Sequence, residues 1–413
     1  MEKVFAVIDL KSFYATVECI KRGLDPFKAP LVVCDEFRGP GSIIMSVTPY
    51  LKTLGCKNVM RRFDLPPNIN YIYARPNMEA YVLKSTEFNA LLLDYFADED
   101  IHPYSIDETF IHLTPYLSLY KLSPYDLMLK IMGEVKSRLG LISASGIGPN
   151  MFMAKCALDI EAKKTKEQVA QWFNSDVQDK LWKVTPITKI WGISKGYEKR
   201  LASMGFFNME DVARAPKGQL KDALGILGEQ IWEHANGIDE SDMKDQYHTK
   251  SKSFTSGQVL HRDYALEEVP TLIREMCDDI CGRLRKYDFK AGLVSLGVLE
   301  TRPSSKTYGK SMSLLKLSRD NDELFDAFML IFSSLPLQHP IRQVFLGVGD
   351  VKNANFEQIS LFDEMNSPDQ NRLWDTLDEI HARFGKDKLM RANALTKSST
   401  YLRRANQIGG HRK

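Results

Sequence analysis

Short apolar runs and helix-length stretches alternate through the first ~165 residues in the order β-α-β-β-α-β. VFAVI, running into Asp9, reads as a short buried strand over 3–8. A helix is predicted over 11–22, strands over 31–34 and 43–47, and a loop-rich stretch marked by Pro66-Pro67 and Arg75-Pro76 over 58–76. The window 78–96 places Tyr81, Phe88, Leu92 and Phe96 on one helical stripe. HPYSIDETFIHLT reads as a β-hairpin, followed by a helix over 123–139, a strand near 141–145, a turn at SGIGPN and a helix over 151–164. That order is the split-βαβ pattern of a ferredoxin-like sheet.

Three acids stand at strategic points of this pattern. Asp9 ends the first strand, and Asp107 and Glu108 sit at the hairpin turn. Neighbours in a regular strand point to opposite faces, so two adjacent acids share a site only where the strand bends. In a split-βαβ sheet the first strand and this hairpin are neighbours, so three carboxylates meet. They repel unless compensated. Mg²⁺ resolves that cost through carboxylates and substrate phosphates, and two such ions can clamp a phosphoryl transfer. The topology alone also suits a nucleotide cyclase.

The remaining chain divides by composition. Residues 166–240 read as all-helical, 241–255 as a polar linker, and 254–350 as mixed strands and helices. From about 352 the chain is polar and loop-like, with a helix near 370–384. Net charge is +2 overall but uneven: −2 over 1–249, +5 over 250–319, −7 over 320–369 and +6 over 370–413. The basic segments suit a polyanionic partner. No apolar run approaches the ~18 residues of a membrane span, and no secretory leader is evident. The six cysteines contain no CxxC pair, which suits reduced thiols in a cytoplasmic protein.

Four stretches resemble the Y-family, or translesion, DNA polymerases. They are FAVIDLKSFYATVE at 5–18, YSIDETFIHLT at 104–114, SASGIGPNMFMAKCALDIEAKK at 143–164 and KSKSFTSGQVLHRDY at 250–264. The ending QIGGH is similar to that of the bacterial UmuC/UvrX-like branch. The resemblance covers nearly the whole chain in the family's order. It implies an α+β right-hand polymerase: a ferredoxin-like palm over 1–20 and 78–165, small fingers over 21–77, a helical thumb over 166–240, an α/β little finger over 250–350 and a tail over 351–413.

The resemblance also implies roles. Asp9, Asp107, Glu108 and the backbone carbonyl of Leu10 match the metal contacts for two Mg²⁺ ions, with Glu108 the catalytic acid. Tyr14, five residues after Asp9, matches the steric gate against ribonucleotides, beside Phe13. Lys155 matches the triphosphate lysine. The family's YEAR segment stands here as TPYLKTLG, which puts Lys52 in place of the arginine and brings Tyr50 in by a one-residue shift. Lys11 departs from the Asp or Asn frequent two residues after the first acid. ITKIWGISKGYEKRLASMGF resembles a helix-hairpin-helix, with Gly192 and Lys195 toward DNA phosphate. Lys250, Lys252, Arg262, Arg283 and Arg285 belong to the basic face expected along the duplex. Gln358, Leu361 and Phe362 form a Q-x-x-L-F peptide resembling those that dock on the sliding clamp. The expected reaction is template-directed, low-fidelity addition of dNTPs to a primer, in the cytoplasm at the nucleoid and away from membrane. A catalytically silent DNA-binding subunit is the other reading.

Overall fold

The structure is a computed structural model that describes residues 3–35, 39–244, 251–354, 368–408 and 410–412. The chain forms two compact units, residues 1–246 and 247–413.

The first unit is built around strand β1 (Phe5–Leu10). Alternation along it divides the core: Ala6, Ile8 and Leu10 face one side, Phe5 and Val7 the other. Helix α1 (Phe13–Lys21) follows after Ser12, whose φ of 49° turns the chain sharply. A three-stranded sheet with its own small core comprises β2 (Leu31–Val33), β3 (Ser46–Val47) and β4 (Ile72–Ala74), with α2 (Pro49–Thr53). Strand β4 lies in the stretch expected to be loop. It is recruited by parallel pairing with β2, a long-range contact that a three-residue run does not announce.

Helix α3 (Met78–Leu93) buries Tyr81, Phe88 and Leu92. The expected hairpin is β5 (Ile101–Pro103) and β6 (Glu108–His112), and α4 (Thr114–Tyr120) and α5 (Pro124–Leu139) follow. Strand β7 (Ser143–Gly148) and helix α6 (Met151–Cys156) come next, then β8 (Val169–Gln171). The main sheet runs β5-β6-β1-β7-β8. Strands β6 and β7 both pair antiparallel with β1, as split-βαβ topology requires.

Two expectations change here. SGIG is strand and not turn, and β8 adds a fifth strand within the stretch read as all-helical. The glycines of β7 serve close packing. A Cβ on Gly146 would stand 2.1 Å from the Ala154 carbonyl, and one on Gly148 2.6 Å from the Ala154 nitrogen. Helix α6 therefore lies flat on the strand, and its continuation passes through a widened π turn (Ala157–Glu161) and a 3-10 turn (Ala162–Lys164). The rest of the unit carries α7 (Lys195–Ser203), α8 (Met209–Arg214), α9 (Lys217–Leu224) and α10 (Ile226–Ala235).

The second unit is built on a five-stranded antiparallel sheet, in the order β11-β10-β12-β9 with a short fifth strand (Lys352–Asn353) pairing beside them with β10. Its strands are β9 (Phe254–Tyr264), β10 (Phe289–Glu300), β11 (Thr307–Ser318) and β12 (Ile341–Gly349). Helices α11 (Val269–Lys286) and α12 (Asn321–Ser333) pack into its core. Beyond it, α13 (Pro368–Phe384) and α14 (Tyr401–Ala405) do not form a loose tail. They return onto α11: Trp374 and Thr400 are buried, and Asp378 pairs with Arg285. Among the described residues no helix is long and apolar enough to cross a membrane, and the six cysteines are free and buried.

Candidate active site

Asp9 and Glu108 are direct cross-strand neighbours at one end of the main sheet. Asp9 shares its face of β1 with Phe5 and Val7, and Glu108 its face of β6 with Phe110, so both carboxylates point to the side that α6 covers. The turn before Glu108 is held by the N–H groups of Tyr104 and Ser105, both donating to the Glu108 carbonyl. The Leu10 N–H donates to the Asp107 carbonyl at 2.8 Å, and the Ser105 hydroxyl to the Asp107 carboxylate at 2.8 Å. The bend leaves Asp107 in the turn beside the Asp9–Glu108 pair, close enough for the Asp9 charge to act on it.

Charge is unevenly shared. Burial and the hydrogen-bonded Asp9 carboxyl push Glu108 up to about 7. Burial also acts to raise Asp9, but the Lys163 ammonium and the Glu108 hydrogen bond outweigh it and hold Asp9 below its usual value. Asp107 is raised by burial, with the Ser105 hydroxyl acting against it. Among the described residues no three carboxylate, histidine or cysteine side chains are gathered tightly enough to ligate a metal as they stand. Lysines hold the carboxylate oxygens instead. Lys155, buried, lies 2.5 Å from Glu108 and 3.1 Å from Asp159. Lys163 lies 3.0 Å from Asp9 and 2.7 Å from Asp159. A crowded, partly protonated set of hard oxygen donors fits a divalent cation, whose charge would replace that of the lysines.

Lys163 and Asp159 escaped the sequence reading. Their signal was the spacing Lys155-Asp159-Lys163, one helical face at i, i+4 and i+8. Lys11, the departure from the family pattern, donates to the Gln168 side chain. Burial and the nearby Lys52 charge hold it below the usual lysine range. Lys52, on α2, is likewise lowered by burial against the attraction of Asp9 and Asp107. Four ammonium groups thus surround three acids.

Tyr14 stacks on Tyr81, ring centroids 4.6 Å apart at 27°. The Tyr81 hydroxyl is fixed 2.9 Å from Glu18, which also bridges to Arg22. Burial and the Asp107 charge raise the Tyr14 hydroxyl, which sets it beside the acids. Phe13 is a correction: at 3% exposure it is core, because the turn at Ser12 sends it inward and Tyr14 out. Tyr50 packs against the core of the three-stranded sheet, and its N–H donates to Pro26.

The impB/mucB/samB family matches residues 8–159, and the C-terminal domain of the same family matches 251–361. The chain is 31% identical to the UV-damage repair protein UvrX of Bacillus subtilis, over 98% of this chain and 96% of that one. The chain belongs to the Y-family of translesion DNA polymerases. It is also 27% identical to DNA polymerase IV 2 of Bacillus subtilis over the full chain and 99% of that protein. Its fold is similar to that of a Y-family polymerase chimera, Dbh-Dpo4(243-245)-Dbh, with a TM-score of 0.67 and 18% identity over 85% of this chain and 99% of that one.

Other expected contacts of the Y-family chain vary in availability. Gly192 has a φ of 87° with open space around it, and Lys195 opens α7, but the element before it is only a 3-10 turn (Ile187–Lys189), so the hairpin has one full helix. Trp191 secures it, its ring edge-on to Tyr104 at 5.7 Å. In the second unit the Lys252 ammonium lies 4.4 Å over the Phe289 ring. Arg262 grips Glu268 with two nitrogens, at 2.6 and 2.8 Å. Arg283 donates to the Thr255 carbonyl. Arg285 is a correction: it is buried, forking onto Asp378 and Asn321, and is unavailable to DNA. Lys250, Gln358, Leu361 and Phe362 lie outside the described residues.

Proposed function

We propose that this chain is a low-fidelity translesion DNA polymerase, adding dNTPs to a primer 3′-OH under template direction and releasing pyrophosphate. The observation that carries it is the Asp9–Glu108 cross-strand pair, with Asp107 in the adjoining turn and Lys155 and Lys163 on its oxygens. Asp9, Asp107, Glu108 and the Leu10 carbonyl are the residues that would hold two Mg²⁺ ions. When bound, such ions activate the attacking hydroxyl and stabilise the leaving phosphate. The chain's own groups do the rest. Lys155, the expected triphosphate lysine, and the more open Lys163 can exchange their carboxylate partners for triphosphate oxygens, with Lys52 and Lys11 adding positive charge. Tyr14 floors the sugar position, and a small fingers region offers few contacts with which to check the nascent pair.

The proposed partners are primer–template DNA, dNTP and, through Gln358, Leu361 and Phe362, the sliding clamp. The proposed compartment is the cytoplasm, at the nucleoid. Two apolar anchors and one amide suit a groove, and tethering raises the effective concentration at the primer. Leu361→Ala with Phe362→Ala should leave distributive extension unchanged and remove stimulation by a loaded clamp. Equal stimulation of both proteins would assign the peptide a structural role.

Primer extension with Mg²⁺ tests the chemistry. Asp107→Ala and Glu108→Ala should each abolish extension while primer–template affinity stays within a few-fold. Extension retained in both would end the metal-site assignment. Intact acids with no extension would favour the silent subunit, and a cyclic product from NTP alone a cyclase.

A further inference from the structure

We propose that the C-terminal segment is part of the DNA-binding edge of the second unit, with the Arg403 guanidinium holding a backbone phosphate of the duplex beside strand β9. The proposal rests on reading the chain as a DNA polymerase.

Residues 386–413 contain eight lysines and arginines and a single acid, Asp387. Several of these cations dock the segment: Lys386 pairs with Asp279 at 2.5 Å and Arg391 with Asp278 at 3.0 Å, while Lys388 lies 3.2 Å from Asp387. The docking is specific. Glu275 is a buried carboxylate in the middle of α11, and the segment satisfies it. The Ser399 and Thr400 hydroxyls donate to it at 2.5 and 3.0 Å, and the Thr400 N–H at 3.1 Å.

From there the segment follows β9, an edge strand of the sheet. Arg262 donates to the Lys397 carbonyl at 3.3 Å, the Thr400 hydroxyl meets Gln258 at 3.2 Å, and Arg404 donates to the Ser256 hydroxyl at 3.3 Å. These contacts flank Arg403 on α14 and hold it at the β9 edge, where burial and then the charges of Arg403, Arg262 and Arg342 keep His261 below its usual value. Glu268 matches Arg262, and Asp263 lies 3.6 Å from Arg342. Arg403 is exposed and has no ion pair among the described residues.

Cations gathered without enough acids repel one another, and a polyanion removes that cost. An exposed guanidinium presents a fork that fits phosphate. Duplex DNA, the substrate of the polymerase reading, supplies a row of phosphates that can lie along a strand edge. The contact would add affinity without reading sequence.

The test uses the full chain carrying Arg403→Gln or Arg403→Lys. Binding of a fluorescent primer–template hairpin is followed by anisotropy, without dNTP, across a salt series, and extension is measured at saturating DNA. Arg403→Gln should bind several-fold more weakly, with the slope of log affinity against log salt shallower by about 0.9. Arg403→Lys should restore the slope, and thermal melting of both variants should match wild type. Wild-type affinity and slope in Arg403→Gln would overturn the proposal. So would a loss that Arg403→Lys fails to restore, since that marks a structural role. If wild type does not extend primers yet the slope responds to Arg403, the polymerase reading falls and the phosphate contact stands.

Discussion

Tyr14 has its position because two chemistries meet in one residue. Its ring needs a flat apolar neighbour, which Tyr81 supplies, and its hydroxyl needs a polar opening, which the acids supply. Tyr81 is itself immobilised through Glu18, so the Tyr14 ring rests on a rigid floor. Tyr14→Ala should raise ribonucleotide incorporation relative to deoxyribonucleotide by roughly ten-fold or more, because a 2′-OH would no longer meet the ring. Competition assays with rNTP and dNTP measure it, and unaltered sugar selection would leave Tyr14 a packing residue. Resemblance to the family named Tyr14 from sequence as the gate, with Phe13 beside it at the nucleotide. The left-handed turn at Ser12, which no local pattern announced, decides that the Phe13 ring faces inward.

At the scale of elements, the junction of β7 and α6 governs the site. Gly146 and Gly148 let α6 approach within backbone contact of the strand, and that approach delivers Lys155 to Glu108. Gly146→Ala would force a methyl against the Ala154 carbonyl and the Leu158 nitrogen, both main-chain atoms that cannot rotate away. The expected cost is about 2–3 kcal/mol of stability, together with a fall in kcat/KM as Lys155 and Lys163 shift. Thermal denaturation and steady-state extension check both, and a variant as stable and active as wild type would show the junction to be slack. The helical periodicity of 151–164 was legible, but the π turn was not, because a widened turn has no residue signature of its own. That turn is where Asp159 sits, with lysines on either side.

Across the whole molecule, each unit gathers its functional charges from distant parts of the chain. In the second unit α13 closes over α11, where Trp374 is 7% exposed and its indole N–H lies 3.2 Å from Asp320. Trp374→Ala should destabilise that unit by about 3–5 kcal/mol, the usual cost of emptying a buried tryptophan site. Denaturant unfolding of the variant measures it, and an unchanged transition would mean that the tail is not integral to the unit. By itself the sequence determined most of the strand and helix order, short of β4 and β8, and the acids at the hairpin turn, since periodicity and turn chemistry act between near neighbours. Tertiary structure alone decided which cations are free. Arg285 looked available until Asp378, 93 residues away, covered it. Lys163 drew no reading from the sequence, and Asp9, 154 residues away, stands 3.0 Å from it. Pairing of charges depends on which segments the fold brings together, and no local pattern encodes that.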